Sequence, residues 1–181
     1  MATKLQVLGD KGEELVRAKV DCPKCKKARK SLRILPRNFR CADLICDFCG
    51  YLAQVKTTTV DDPAKLPKSI LGAAWEPQRE RMEAGIYFPL FIVATTGKSK
   101  SLPHIYYLPA DFQTEAMFIP RTPLSSTAKR AGWQGYMIDL TKAVADPVRL
   151  IWLMLTSGFI TVFWMIQISP TIAFLLVSPR L

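Results

Sequence analysis

Histidine is almost missing from this chain: His104 is the only one in 181 residues. Mechanisms that need two imidazoles, and zinc sites built mainly on histidine, cannot be assembled within one copy. Acidic residues are also scarce, 15 Asp+Glu against 25 Lys+Arg, for a net charge of +10. A polyanion or an anionic membrane surface is therefore the natural partner, and an acidic macromolecule a poor one. The opening residues, MATKLQVLGDKGEE, lack an apolar run long enough for a signal peptide. A reducing cytoplasm is the expected location, where disulfides are a poor use of cysteine. There is no internal repeat and no low-complexity segment.

Charge of either sign is missing from Leu150 to Pro179, thirty residues of which twenty are Ala, Val, Ile, Leu, Met, Phe or Trp. All 15 acids precede that stretch, as do all but one of the basic residues. The chain is expected to divide into a basic body, residues 1–147, and a hydrophobic tail, residues 148–181. A body of this length can bury a core without disulfide staples. The tail has three readings: one membrane span, with Arg149 and the body on the cytoplasmic side; a buried or oligomerising helix broken at Pro170; or an out-of-frame end in place of a lost domain.

Within the body, Asp10 followed by Glu13 reads as an N-cap with a returning carboxylate, and Leu15, Val16, Ala18 and Val20 as an apolar stripe, predicting a helix over residues 11–20. Residues 21–30, DCPKCKKARK, carry too many turn and basic residues for a regular element. Residues 39–45 and 51–57 read as two strands joined by CDFCG. Residues 66–83 look helical, with Pro77 expected to break them in two. IYFPLFIVAT, residues 86–95, is too continuously apolar to be half exposed and reads as a central strand, with residues 104–108 beside it after the GKSKSLP turn. The order αββαββ predicts an α/β or α+β domain with helices on a mixed sheet.

Cys22 and Cys25 form CPKC, Cys46 and Cys49 form CDFC, and twenty residues separate the pairs. Two thiolates at this spacing grip one edge of a tetrahedron and a second pair completes it, which is the pattern of a structural zinc site. Lys24, Lys26 and Lys27 would favour the thiolates, against the bland alternative of four incidental thiols. Four sulfurs leave no open position, so such a zinc is not catalytic. No recognition helix of the finger type follows the second pair, which points to a clip on a hairpin rather than a DNA reader. Cys41 stands outside both pairs and reads as a small buried strand residue.

Gln54 and Lys56 lie two apart in a strand and share a face, Val55 points to the core, and Asp43 on the partner strand can reach the same spot. An acid, a second oxygen ligand and a lysine at a strand end are what metal-dependent phosphodiester cleavage requires. Spacing alone carries little weight here, since exposed hairpin side chains give the same pattern.

Two segments add a resemblance. CADLICDFCGYLAQVKT, preceded by CPKC, and RTPLSSTAKRAGWQGYMIDL together resemble the DpnI-type restriction endonucleases, the Dam-replacing family, over about residues 10–145. The resemblance implies a PD-(D/E)xK nuclease domain with a four-cysteine zinc site in the catalytic hairpin, acting on double-stranded DNA at GATC with N6-methylated adenine. Carried over, Asp43 matches the first metal-binding acid, Lys56 the motif lysine, and Cys22, Cys25, Cys46 and Cys49 the zinc ligands. Trp133 matches the tryptophan that the family sets against the substrate methyl groups, and Lys129 and Arg130 beside it suit phosphate contact and base stacking.

Two features depart from the family. Gln54 stands where its pattern has glutamate, which removes a charge that Mg²⁺ affinity depends on, although an amide oxygen can still coordinate. The enzyme after which the family is called continues into a winged-helix domain, whereas here the oily tail follows. Glu13 or Glu14 could approach the site from the first helix, with capping or a solvated face as the plainer use of each. His104 reads as structural. The expectation is thus a zinc-clipped, Mg²⁺-dependent type II endonuclease. Its rival is a relative that binds methylated DNA and cleaves poorly, and a tail-anchored protein with an incidental basic domain has nothing in the body to support it.

Overall fold

The computed structural model describes residues 3–25, 28–37, 39, 42–96 and 102–150. Cys41, Lys26, Lys27, most of the GKSKSLP turn and the tail from residue 151 lie outside the described residues. Among the described residues no helix is long and apolar enough to cross a membrane.

The first helix, α1, runs Lys4–Lys19, beginning nearly two turns before the expected start. Thr3 and Gln6 form the capping box expected of Asp10 and Glu13: Thr3 Oγ1 accepts from the Gln6 amide and Gln6 Oε1 from the Thr3 amide, at 3.2 and 2.7 Å. Both reciprocal bonds satisfy donors that a helix start leaves bare, so the helix nucleates there. Asp10 instead pairs with Arg37. The buried stripe is Gly12 and Val16, continued by Val20, while Ala18 is exposed.

Among the described residues nine strands follow the helix: β1 Arg33–Ile34, β2 Leu44–Cys46, β3 Tyr51–Thr59, β4 Ser69–Ala74, β5 Leu90–Thr95, β6 His104–Leu108, β7 Phe118–Pro120, β8 Gly135–Asp139 and β9 Val148–Leu150. The six-stranded sheet has the order β1-β2-β3-β5-β6-β9. It is mixed: β3 and β5 are parallel, the other neighbours antiparallel. A parallel pair needs a crossover, and β4 with the second helix, α2 (Trp75–Glu83), supplies it. Strand β9 pairs Val148 with Tyr107 and Leu150 with Ile105, just beyond the expected division at residue 147.

The continuous apolar run of β5 serves two cores. Phe91 and Val93 face α1 with Val16, Leu44 and Val55, whereas Leu90, Ile92 and Ala94 face the smaller β4-β8-β7 sheet with Ile70, Tyr136 and Ile138. A strand covered on both faces has no need to alternate, and the expectation of a central strand is met. The sequence reading of residues 66–83 is corrected. Residues 69–74 form β4, with Ile70 and Gly72 facing inward, and α2 begins only at Trp75. Pro77 then lies in the first helical turn, where its missing N–H is one that has no intrahelical partner anyway, so it breaks nothing. Gly72 is required by packing, since a Cβ there would stand 2.2 Å from the Tyr136 ring.

Candidate active site and metal centre

The hairpin β2–β3 carries cysteines at its closed end. Cys46 pairs with Tyr51 across the last rung, and Gly50, at φ 69°, donates to the Cys46 carbonyl at 2.9 Å, closing the turn that presents Cys49. The other pair arrives on a single turn, Pro23–Cys25, held to the strand-like segment beyond it by the Cys22 amide on the Lys30 carbonyl at 2.7 Å. All four sulfurs lie within 4.8 Å of one another, with Cys22–Cys49 at 3.6 Å and Cys25–Cys46 at 3.9 Å. A zinc tetrahedron with Zn–S bonds near 2.3 Å has edges of about 3.8 Å, so the sulfur set fits that ion. Burial, followed by the neighbouring sulfurs, raises the Cys25 thiol to about 12. A cation that takes the thiolates relieves this crowding.

The open end of the hairpin carries the acid and the lysine. Asp43 precedes β2, and its carboxylate takes the place of a ladder acceptor: Oδ2 accepts from the Val55 amide at 2.7 Å, while the Asp43 amide donates to the Ala53 carbonyl. Val55 is buried between Gln54 and Lys56, as strand alternation requires. Lys56 Nζ stands 3.8 Å from Asp43 Oδ2 and donates to the Val55 carbonyl at 3.3 Å. The side chains of Lys56 and Asp43 are 17% and 29% exposed, shielded enough to interact yet open to a ligand. Asp43, Gln54 and Lys56 line one cleft of about 200 Å³ together with Phe39, Ala42, Ala73, Ala74, Pro77, Arg81 and Tyr136.

Glu13 reaches this end from α1. Burial, then the carboxylates of Asp43 and Asp10, hold its carboxyl at about 7, with Lys56 and Arg37 pulling the other way. The approach depends on Gly12, because a Cβ there would stand 1.8 Å from Thr57 Oγ1 on β3. Glu14 faces solvent and pairs with Arg17, so the two glutamates part company. His104 pairs with Ala94 at the start of β6 and does not line the cleft.

The third group lies in the loop before β8. The Arg130 guanidinium stands over the half-buried Trp133 indole, 4.6 Å from the ring centroid, and Gly132, at φ 73°, makes the turn between them. Lys129 and Arg130 are exposed. Gly135 pairs with Ala74, a cleft residue, and the Trp75 amide bonds the Gln134 carbonyl at 2.8 Å. This ties the loop to the cleft end of the small sheet. Sequence reasoning missed Arg81, Tyr136 and the wall of Ala73 and Ala74, because nothing in the segment 66–83 announces a strand that pairs with residues 135–139.

A family model described as DpnI, the Dam-replacing family, matches residues 2–151 of the chain.

Proposed function

Because the chain belongs to the Dam-replacing family, we propose that it is a methylation-dependent restriction endonuclease of type II whose PD-(D/E)xK site is the open end of the β2–β3 hairpin. The observation that carries this reading is the convergence of Asp43, Gln54 and Lys56 in one cleft. Asp43 and Gln54 would hold Mg²⁺, with Glu13 contributing the carboxylate charge that Gln54 lacks. Bound there, the ion would supply Lewis-acid stabilisation of charge on the phosphate oxygens. Lys56 positions the attacking water and offsets negative charge on the phosphorus centre, and Asp43, gripped by the Val55 amide, keeps its carboxylate aimed into the cleft. The four cysteines, loaded with zinc, clip the far end of the same hairpin and take no part in chemistry.

Duplex DNA carrying N6-methyladenine in GATC is the proposed substrate, with Trp133 against the methyl group and Lys129 and Arg130 on the backbone. The proposed nuclease body spans the basic residues up to the sheet's last strand, and a reducing cytoplasm suits its free thiols. Digestion of methylated and unmethylated plasmid by the full chain with Mg²⁺ tests the proposal: only methylated DNA should be cut. Gln54 supports one second reading, a protein that binds methylated DNA without cutting it. Wild type and Gln54→Glu both inert on methylated plasmid with Mg²⁺ or Mn²⁺, yet binding it, would favour that reading.

A further inference from the structure

Gln78 is the one buried side-chain amide among the described residues, 3% exposed on the inner face of α2. Its Oε1 accepts two hydrogen bonds, from Tyr136 Oη at 3.2 Å and from Arg81 Nη2 at 2.7 Å. Burying an amide without partners costs free energy, so this doubly satisfied oxygen is a built anchor. Burial raises the Tyr136 phenol to about 12, which keeps it a donor.

The anchored guanidinium carries a charge that no carboxylate among the described residues offsets. Arg17, Arg33, Arg37 and Arg79 each face a carboxylate. Arg81, like Arg29, Arg121, Arg130 and Arg149, lies within ion-pair distance of none among the described residues, and of these five it is the one that lines the cleft holding Asp43, Gln54 and Lys56. A neutral amide orients the side chain without cancelling its charge. The planar fork keeps donors in reserve, suited to two oxygens of one phosphate.

We propose that Arg81 is a DNA-phosphate ligand of this cleft, held in place by the buried amide of Gln78. The assignment rests on the endonuclease reading and adds to it a backbone contact supplied by α2, outside the hairpin and outside the Trp133 loop. The rival use of Arg81 is to satisfy Gln78 alone.

The test is binding of the full chain to a short duplex containing methylated GATC, with Ca²⁺ in place of Mg²⁺, across a range of salt. Arg81→Gln keeps an N–H donor for Gln78 and loses the charge. It should bind roughly tenfold more weakly, with the log–log salt slope reduced by about one. Arg81→Lys should retain the slope. A folded Arg81→Gln variant with wild-type affinity and slope overturns the assignment while leaving the endonuclease reading intact. Wild type that fails to bind the duplex overturns both. Should Arg81→Gln not fold, modification of wild type by phenylglyoxal decides: the duplex should protect Arg81, and equal modification with and without DNA overturns the assignment.

Discussion

The two ends of one hairpin are built on opposite principles. At the closed end, four sulfurs converge at distances that a tetrahedral ion needs, and every ligand comes from one of two short CxxC turns. At the open end, 3.8 Å separates the nearest acid and base. The cleft there draws on the entry to β2, β3, β4, α2 and β8, with Glu13 of α1 near enough to interact with Asp43. The first arrangement can saturate a metal ion; on the proposed reading the second leaves room for a substrate. On that reading the fold separates a stabilising clip from the reacting groups along the three residues of strand β2.

Breaking the closed end should have the largest effect. The full chain is expected to contain one zinc per molecule, and chelation should unfold the body, since structural zinc in small sites contributes on the order of 10 kcal/mol. Cys46→Ser should do the same. A folded, soluble sample with less than stoichiometric zinc by elemental analysis would refute this.

Breaking the open end should leave the fold intact. Lys56→Ala is expected to cut the cleavage rate by roughly a hundredfold or more, the scale of a positioned proton-transfer group. Zinc content and melting temperature should stay near wild type. Gln54→Glu should sharpen the dependence on Mg²⁺ by restoring a ligand charge, read as a lower Mg²⁺ concentration for half-maximal cleavage.

Two glycines of α1 make a finer comparison. Gly9 has open space around it, so Gly9→Ala should stabilise by roughly 0.5–1 kcal/mol through helix propensity. Gly12→Ala gains the same propensity but must push α1 off Thr57, and should destabilise by about 1–3 kcal/mol. Adding Thr57→Ala should recover most of that loss in urea melts. Additive effects in the double mutant would show that Gly12 does not set the approach of α1.

A modest effect, on binding rather than on stability, is expected at Trp133. A methyl group offers no hydrogen bond, and burying one is worth about 0.8 kcal/mol, so two on a symmetric site give a preference of roughly tenfold. Trp133→Ala should remove that preference in binding assays, whereas Lys129→Ala should weaken methylated and unmethylated duplexes alike. Equal losses on both duplexes after Trp133→Ala would return the indole to a packing role, with Arg130 stacked over it.

Much of this contrast was legible in the residues. CPKC and CDFC announced four converging sulfurs because the geometry of a knuckle is set within four residues, and a tetrahedral arrangement leaves little freedom for the rest. The β3 pattern, with Val55 inward and Gln54 and Lys56 sharing a face, followed from strand alternation, and β5 read as central because no polar residue interrupts it. The tertiary structure alone decided the rest. Which glutamate of α1 joins Asp43 depends on Gly12 meeting Thr57, a contact between residues 45 positions apart. Arg81 reaches the cleft because β4 pairs with β8 and lays α2 across it, and Pro77 sits harmlessly because β4 ends at Ala74. Periodicity speaks for one element at a time, whereas a cleft is made where elements distant in the chain close on each other, and only their packing chooses the side chains that meet.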